Sequence, residues 1–474
     1  MKIPDFVQHP ASFRDPSGFV FEADHVFYRQ VHQSYASHYD LMMECGLYDA
    51  LVKKGFLVPH TEIAENLTQS PFWYKTLLPR QIHRISYPAE WCPEQLKDAA
   101  LLTLEIQETA MAHGMILKDA TPFNIQFENG RPVFLDTLSF EKYNPALPWI
   151  AYRQFCECFL FPLYLHYYLR TGIDKITGAW PDGITATTTA RLLPFKSRWN
   201  AGAWMHVFLQ SRVHSGPRID SDPRLNSSPG SKGSQPSFSA TKLGHLVAHL
   251  KSLVGRLTIK VPTPTTWSNY YGGTIMGKDY LAAKEQLFRE SLQAIEYKSA
   301  LDLGANDGYF SRILAANGVP VLAVDSDWQC IDTLYKYARS HTISNILPLC
   351  VDISNPTPAS GFRNAERASF TARAHADLVV ALALIHHLAL GRNIPLHLIA
   401  GYLNELTEKF LIIEFIPLSD EKARELVAHK NTQPFGYDQA SFESCFSRYF
   451  MIEKREQVPG TDRILYRMKK SLPR

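Results

Sequence analysis

Residues 300–327, ALDLGANDGYFSRILAANGVPVLAVDSD, leave this chain little freedom in how it folds. The apolar Ala300 and Leu301 run into Asp302, and a glycine turn follows at Gly304 and Gly308. Residues 309–317 have amphipathic helical spacing, and 319–324 form a second apolar strand that ends on Asp325. Strand, glycine turn, helix and strand make the unit that holds a nucleotide-like ligand at the carboxyl edge of a parallel sheet. Glycine has no Cβ, so the backbone there can approach a ligand closely. Asp325, at the tip of the second strand, is placed to accept hydrogen bonds from two ribose hydroxyls. Asp302 argues against a pyrophosphate: a carboxylate two residues before the first glycine repels phosphate and suits a cation.

Later segments extend the same sheet. Residues 346–352, ILPLCVD, read as a third strand ending in Asp352. Residues 376–388, ADLVVALALIHHL, are apolar from Leu378 and run into His386 and His387. Residues 410–417, FLIIEFIP, carry Glu414 near their carboxyl end. Residues 450–457 and 463–468, separated by Pro459-Gly460-Thr461, read as a closing antiparallel hairpin. Near-continuous apolar strands are what a parallel sheet covered on both faces requires. Histidine suits proton transfer near neutral pH, so His386, His387 and Glu414 are the candidate bases. On an extended segment the two histidines point to opposite sides, and only one of them faces a substrate.

The pattern Asp302-x-Gly304-x-Asn306-x-Gly308 resembles motif I of class I S-adenosylmethionine (SAM)-dependent methyltransferases, with Asn306 where many members have glycine. The resemblance covers about residues 266–470. It implies an α/β fold, a seven-stranded doubly wound Rossmann-like domain. It implies SAM as cofactor, held by Asp302, Gly304, Asn306, Gly308 and Asp325, with Asp352 at the adenine amino group. His386 and His387 then line the acceptor side, and no metal is required. The whole arrangement also looks like nodulation-associated methyltransferases, in which this domain follows a long front region. That likeness implies a small-molecule, saccharide or lipid-linked acceptor, methylated on oxygen or nitrogen.

The front of the chain has its own signature, residues 105–140, EIQETAMAHGMILKDATPFNIQFENGRPVFLDTLSF. A helix ends at His113-Gly114, and a loop carries Asp119, Pro122 and Asn124. Strands 125–127 and 132–135 flank an Asn129-Gly130 turn, a strong hairpin signal, and Asp136 follows. Asp119 is suited to take a proton from a hydroxyl, while Asn124 and Asp136 are suited to hold magnesium against phosphates. This window resembles the catalytic loop and metal-binding aspartate of protein-kinase-like folds, including sugar and lipopolysaccharide kinases. It departs from them at Thr137-Leu138, which stand in place of Phe-Gly. No glycine-rich phosphate loop is identifiable, and Lys53, Lys54 and Lys75 are only candidates for the partner lysine. The expectation is an α+β, kinase-like but degenerate domain that positions substrate. The alternatives are a bifunctional kinase–methyltransferase and a non-catalytic SAM-binding scaffold.

A chain of 474 residues exceeds one ordinary core and implies two or three domains. Hydrophobic residues make up 45% and charged residues 20%, the balance of a soluble globular protein. A net charge of +3 makes no general case for a nucleic-acid or membrane surface, and no basic stretch with interleaved aromatics suggests nucleic acid. Seven scattered cysteines point to a reducing, cytoplasmic setting, with Cys156 and Cys158 as core residues. No apolar leader opens the chain, and residues 155–169 are too short to span a bilayer and read as a buried helix. Residues 214–239, HSGPRIDSDPRLNSSPGSKGSQPSFS, read as a flexible linker. The expected domains are therefore 1–213 in front, a helical cap over 240–297 and a core over 298–474. The cap holds helices 240–257 and 278–293, and Trp267, Tyr270 and Tyr271 as cap packing or an aromatic lid. His245 and His249, four apart, read as a helix face. Nothing in the sequence sets an oligomeric state.

Overall fold

Five antiparallel strands begin the chain: β1 (Phe6–Gln8), β2 (Gly18–Ala23), β3 (Val26–His32), β4 (His60–Ile63) and β5 (Trp73–Pro79), in the order β1-β2-β3-β5-β4. The structure, a computed structural model, describes residues 5–213, 239–258, 278–430 and 436–471. The chain divides into two compact units, Met1–Lys260 with Ser360–Arg367, and Val261–Ala359 with Ala368–Arg474. Most of the expected linker, and Trp267, Tyr270 and Tyr271, lie outside the described residues.

In the first unit, helix Pro93–Ala112 starts with proline in its first turn and stops at Gly114, whose φ of +73° ends the helical path. Four short strands follow: β6 (Met115–Leu117), β7 (Ile125–Glu128), β8 (Arg131–Phe134) and β9 (Phe140–Lys142). β7 and β8 close through Asn129 (φ +51°) and Gly130 (φ +71°), two left-handed residues that match the twist of a hairpin. β6 pairs with β9, which brings the loop after β6 beside the residues after β8. The apolar 155–169 stretch is helical and largely buried through His166, with Tyr167 and Leu169 exposed and one π-helical turn at Cys156–Leu160. Cys156 and Cys158 are buried free thiols. No helix among the described residues is long and apolar enough to cross a membrane.

Helix Ala240–Arg256 belongs to this first unit rather than to a cap on the second. Leu243, Val247, Leu250 and Val254 form one buried stripe, and the helix packs on Pro93–Ala112. Lys251 bonds Glu108 of that helix at 2.8 Å. Helical periodicity identified the element, but an apolar stripe does not name the surface that covers it.

The second unit holds β10 (Ala300–Leu303), β11 (Val321–Asp325), β12 (Ile346–Cys350), β13 (Ala376–Ala381), β14 (Thr407–Phe415), β15 (Phe450–Gln457) and β16 (Ile464–Lys470). They form one seven-stranded sheet in the order β12-β11-β10-β13-β14-β16-β15. β10 to β14 are mutually parallel, and β16 runs antiparallel between β14 and β15, as the hairpin signal implied. This is the doubly wound Rossmann-like sheet expected from the resemblance. Ala300, Val321, Leu378, Val380 and Ile412 of the sheet pack with Phe310, Leu314 and Leu334, and with Phe288 and Leu292 of helix Lys278–Gln293. The strand order reverses between β10 and β13, the topological position at which open α/β sheets take ligands beyond the carboxyl ends of their strands.

One strand is shorter than the sequence suggested. β13 stops at Ala381, Ala383 turns with φ +52°, and His387–Gly391 is a π-helical turn. Burial keeps the segment apolar past the end of the strand, and a continuous apolar run does not mark where extension ends.

Candidate functional site

Three carboxylates stand at the carboxyl ends of three adjacent parallel strands: Asp302 in β10, Asp325 ending β11, and Asp352 two residues beyond β12. The turn between β10 and helix Tyr309–Ala316 is latched to β11. The N–H groups of Gly304 and Ala305 both donate to the Val324 carbonyl at 2.9 Å. Gly304 (φ +75°), Asn306 (φ +53°) and Gly308 (φ +81°) take left-handed conformations that most side chains resist. Gly308 has a second reason to be glycine, since a Cβ there would lie 2.2 Å from Leu334 Cδ1. Its bareness lets helix Trp328–Ser340 approach the turn.

Asp325 is half-buried, and both its oxygens are oriented by backbone. Asn306 N–H donates to Oδ2 at 2.9 Å and Asp327 N–H to Oδ1 at 2.8 Å. Burial pushes its carboxyl up to about 6, against these hydrogen bonds. Asp302 is only 2% exposed, and Ser311 Oγ donates to its Oδ2 at 2.6 Å. Burial is also the main reason its carboxyl rises to about 6, with the nearby Asp325 charge adding to it. Asp352 accepts from the Ser354 N–H at 2.9 Å and the Ser354 hydroxyl at 2.6 Å, and Arg392 lies 3.3 Å away.

Glu414 differs from the expectation that it is a base. It is fully buried and both oxygens are engaged. Oε2 accepts from Lys284 Nζ at 2.6 Å and Ala383 N–H at 2.9 Å, and Oε1 from the Tyr280 hydroxyl at 3.0 Å. Burial alone would raise this carboxyl, but the Lys284 and Arg463 cations outweigh it and hold the group ionised. Arg463 is bound through Nε and Nη2 to Asp420 at 2.8 and 3.2 Å, and its Nη1 reaches the Tyr280 hydroxyl at 2.9 Å. Glu414 is thus the centre of an ion-pair network that pins the left-handed turn at Ala383.

His386 and His387 do not point to opposite sides, because they lie on a helical turn rather than a strand. Their ring centroids are 4.0 Å apart. His386 is fully buried, and neither ring nitrogen has a hydrogen-bond partner among the described residues. Burial and then the nearby cations, His387 when protonated among them, keep it neutral well below the usual histidine range. His387 is half-buried and is lowered to about 4, by burial first and Arg463 second.

The first unit gathers Asp119, Asn124 and Asp136. Asn124 Nδ2 donates to Asp119 Oδ2 at 3.2 Å and lies 3.3 Å from Ser139 Oγ, which in turn donates to Asp136. Asp119 also accepts from Gln154 at 2.8 Å. Burial and then Asp136 push its carboxyl above the usual range. Arg29, on β3, lies 2.7 Å from Asp136 and 2.8 Å from Asp15. His249 is on a helix face and its ring is 5.3 Å from that of His206, not near a third ligand. No group of three or more potential metal ligands occurs among the described residues.

Sequence reasoning passed over Lys284 and Arg29. Lys284 had a signal: it falls in the apolar stripe Leu281, Phe288, Leu292 of its helix, where a lysine needs a buried partner. Arg29 had none, since it meets Asp136 only through the tertiary fold.

No protein-family model matches the chain. Among solved structures, the PH0226 protein from Pyrococcus horikoshii OT3 is similar over 44% of this chain and 96% of its own, at 16% identity and a TM-score of 0.31. The N-methyltransferase NodS from Bradyrhizobium japonicum WM9 is similar over 41% of this chain and 99% of its own, at 16% identity and a TM-score of 0.30. Across nearly its whole length the chain is 30% identical, over 471 residues, to nodulation protein NoeA of Rhizobium meliloti (strain 1021), an alignment spanning 97% of this chain and 95% of that protein. Such identity over both full lengths means that the chain belongs to the family of nodulation protein NoeA.

Proposed function

We propose that the second unit binds SAM and that the protein is a methyltransferase acting on an oxygen or nitrogen of a small-molecule, saccharide or lipid-linked acceptor. The observation that carries this reading is the set of three carboxylates at adjacent strand ends beside a left-handed glycine turn, at the reversal of strand order. The donor chemistry fits the cofactor. Asp325 is held by two backbone N–H groups and, as a carboxylate with about four lone-pair positions, retains acceptor capacity for the two ribose hydroxyls. Asp302, beneath the turn, supplies negative charge that a cationic ligand relieves. Asp352 is the candidate acceptor for the adenine amino group.

When bound, SAM supplies a methyl group activated by its sulfonium. The chain's own part is alignment of the acceptor and removal of its proton. His387, half-buried and neutral at physiological pH, is the better placed of the two histidines to take that proton, with His386 packed against it. Seven cysteines without a disulfide favour a cytoplasmic setting.

Calorimetric titration of the whole protein with SAM tests the reading. We expect one site, and Asp325→Ala should weaken it by roughly tenfold to a hundredfold, since charge-assisted hydrogen bonds contribute about 1.5–3 kcal/mol. A folded chain that takes up no SAM would sink the proposal.

A second reading has one observation in its favour, the convergence of Asp119, Asn124 and Asp136. We propose that the front unit positions substrate and transfers no phosphate. Arg29 already neutralises Asp136, where phosphotransfer would need a divalent cation. We expect no ATP hydrolysis with or without magnesium. Magnesium-dependent phosphorylation abolished by Asp119→Ala would establish the bifunctional alternative instead.

A further inference from the structure

We propose that residues 186–212 of the first unit form a docking surface for a bilayer of anionic phospholipid. The segment carries helix Ala186–Leu192, a 3-10 turn at Phe195–Trp199, a π-helical turn at Trp204–Leu209 and helix Gln210–Val213. Its large apolar side chains face outward. Trp199 is 84% exposed, Phe195 69%, Trp204 47% and Met205 45%, with Leu192 and Leu209 also exposed. Single exposed apolar residues are ordinary, but six within eighteen consecutive positions, 192–209, are not.

Within the segment itself the charge has one sign, the exposed Asp182 lying just before it. From Gly183 to Val213 there is no aspartate or glutamate, while Arg191, Lys196, Arg198 and Arg212 are all exposed. Arg198 ties the segment together, its guanidinium 5.3 Å from the Phe195 ring centroid and 5.5 Å from that of Phe208. The 3-10 turn and the π-helical turn therefore present their side chains side by side. Interior anchoring comes from His206, Val207 and Phe208, which are buried beneath the exposed row.

Tryptophan and phenylalanine interleaved with arginine and lysine is the chemistry of a surface that lies in the headgroup region of a bilayer. The rings reach the acyl boundary and the cations meet lipid phosphates. Aliphatic Leu192, Met205 and Leu209 gain from hydrocarbon and have nothing to stack on in a nucleic acid. The absence of any acid within the segment suits a uniformly anionic partner better than a protein face of mixed charge. The whole chain is only +3, so this patch is a local concentration of charge that composition conceals. The inference does not depend on methyl transfer.

Co-sedimentation of the full chain with unilamellar vesicles tests it. We expect binding to phosphatidylcholine mixed with phosphatidylglycerol, little to phosphatidylcholine alone, and release by salt. Phe195→Ser with Trp199→Ser should weaken binding by at least about tenfold, since each removes a large exposed apolar surface that the bilayer would bury. Arg191→Gln and Lys196→Gln, which leave every aromatic in place, should each weaken it by about fivefold. Failure to bind mixed vesicles, or equal binding by these variants, overturns the proposal. So does concentration-dependent self-association, or RNA binding, that depends on Trp199 while vesicles are ignored.

Discussion

Asp302 occupies a site that costs the free protein stability. Its carboxyl is fully enclosed and raised to about 6 from an ordinary 3.8, by burial first and by Asp325 second. An acid with a raised folded-state pKa holds its proton more tightly folded than unfolded. Its contribution is fully present below about pH 4 and is lost as pH rises through 6. At neutral pH the folded protein carries a buried, ionised carboxylate. Asp302→Asn should therefore raise stability at pH 7.5 by up to about 3 kcal/mol, two pKa units at about 1.4 each, and change little at pH 4. Asparagine can still accept the Ser311 hydroxyl. Denaturant melts at the two pH values measure this, and a variant less stable at pH 7.5 would show that the charge is compensated. The same residue should weaken SAM binding when neutralised, which is the expected conflict between stability and a charged site.

At the scale of elements, helix Lys278–Gln293 is joined to the sheet by a buried ion pair beside the packing of Phe288 and Leu292. Lys284 and Glu414 are both fully enclosed, 2.6 Å apart, and Glu414 also holds the Ala383 N–H of the turn that leads to His386. Such a pair is expensive to break from one side, because the remaining charge has no partner. Lys284→Met should destabilise the protein by about 3–5 kcal/mol, and adding Glu414→Gln should restore much of that loss. Thermal melts of the single and double variants check the coupling. An additive double variant would mean that the carboxylate finds another cation, with Arg463 the nearest candidate. The Arg29–Asp136 pair of the front unit is also largely enclosed, with side chains 15% and 12% exposed, so removing either partner leaves a charge poorly solvated there as well.

For the whole molecule, the boundary between units is set by what covers helix Ala240–Arg256. Its stripe of Leu243, Val247, Leu250 and Val254 is covered within the first unit. A fragment of residues 240–474 carries that stripe without its partner helix, whereas a fragment of 261–474 does not. The shorter fragment should stay soluble and show the SAM binding proposed for the second unit, and the longer one should self-associate through the uncovered apolar face. Light scattering of both fragments decides this. Equal behaviour would mean that the stripe finds cover in the second unit.

Local rules sufficed for much of this protein. The glycine turn, the strands on either side of it and the hairpin at Asn129-Gly130 are legible because backbone conformation there depends on a few adjacent residues. The order of apolar runs likewise announced a parallel sheet with an antiparallel close. The sequence also named Asp302, Asp325 and Asp352 and their places at strand ends. Tertiary structure decided the rest. Whether Glu414 is a base or one end of a buried ion pair depends on Lys284, 130 residues away in the chain. Whether His386 and His387 share a side depends on where β13 stops, and burial keeps that boundary apolar. The helix at 240–256 shows the same limit: periodicity reveals that a face is covered, while the covering surface is chosen only when distant segments pack.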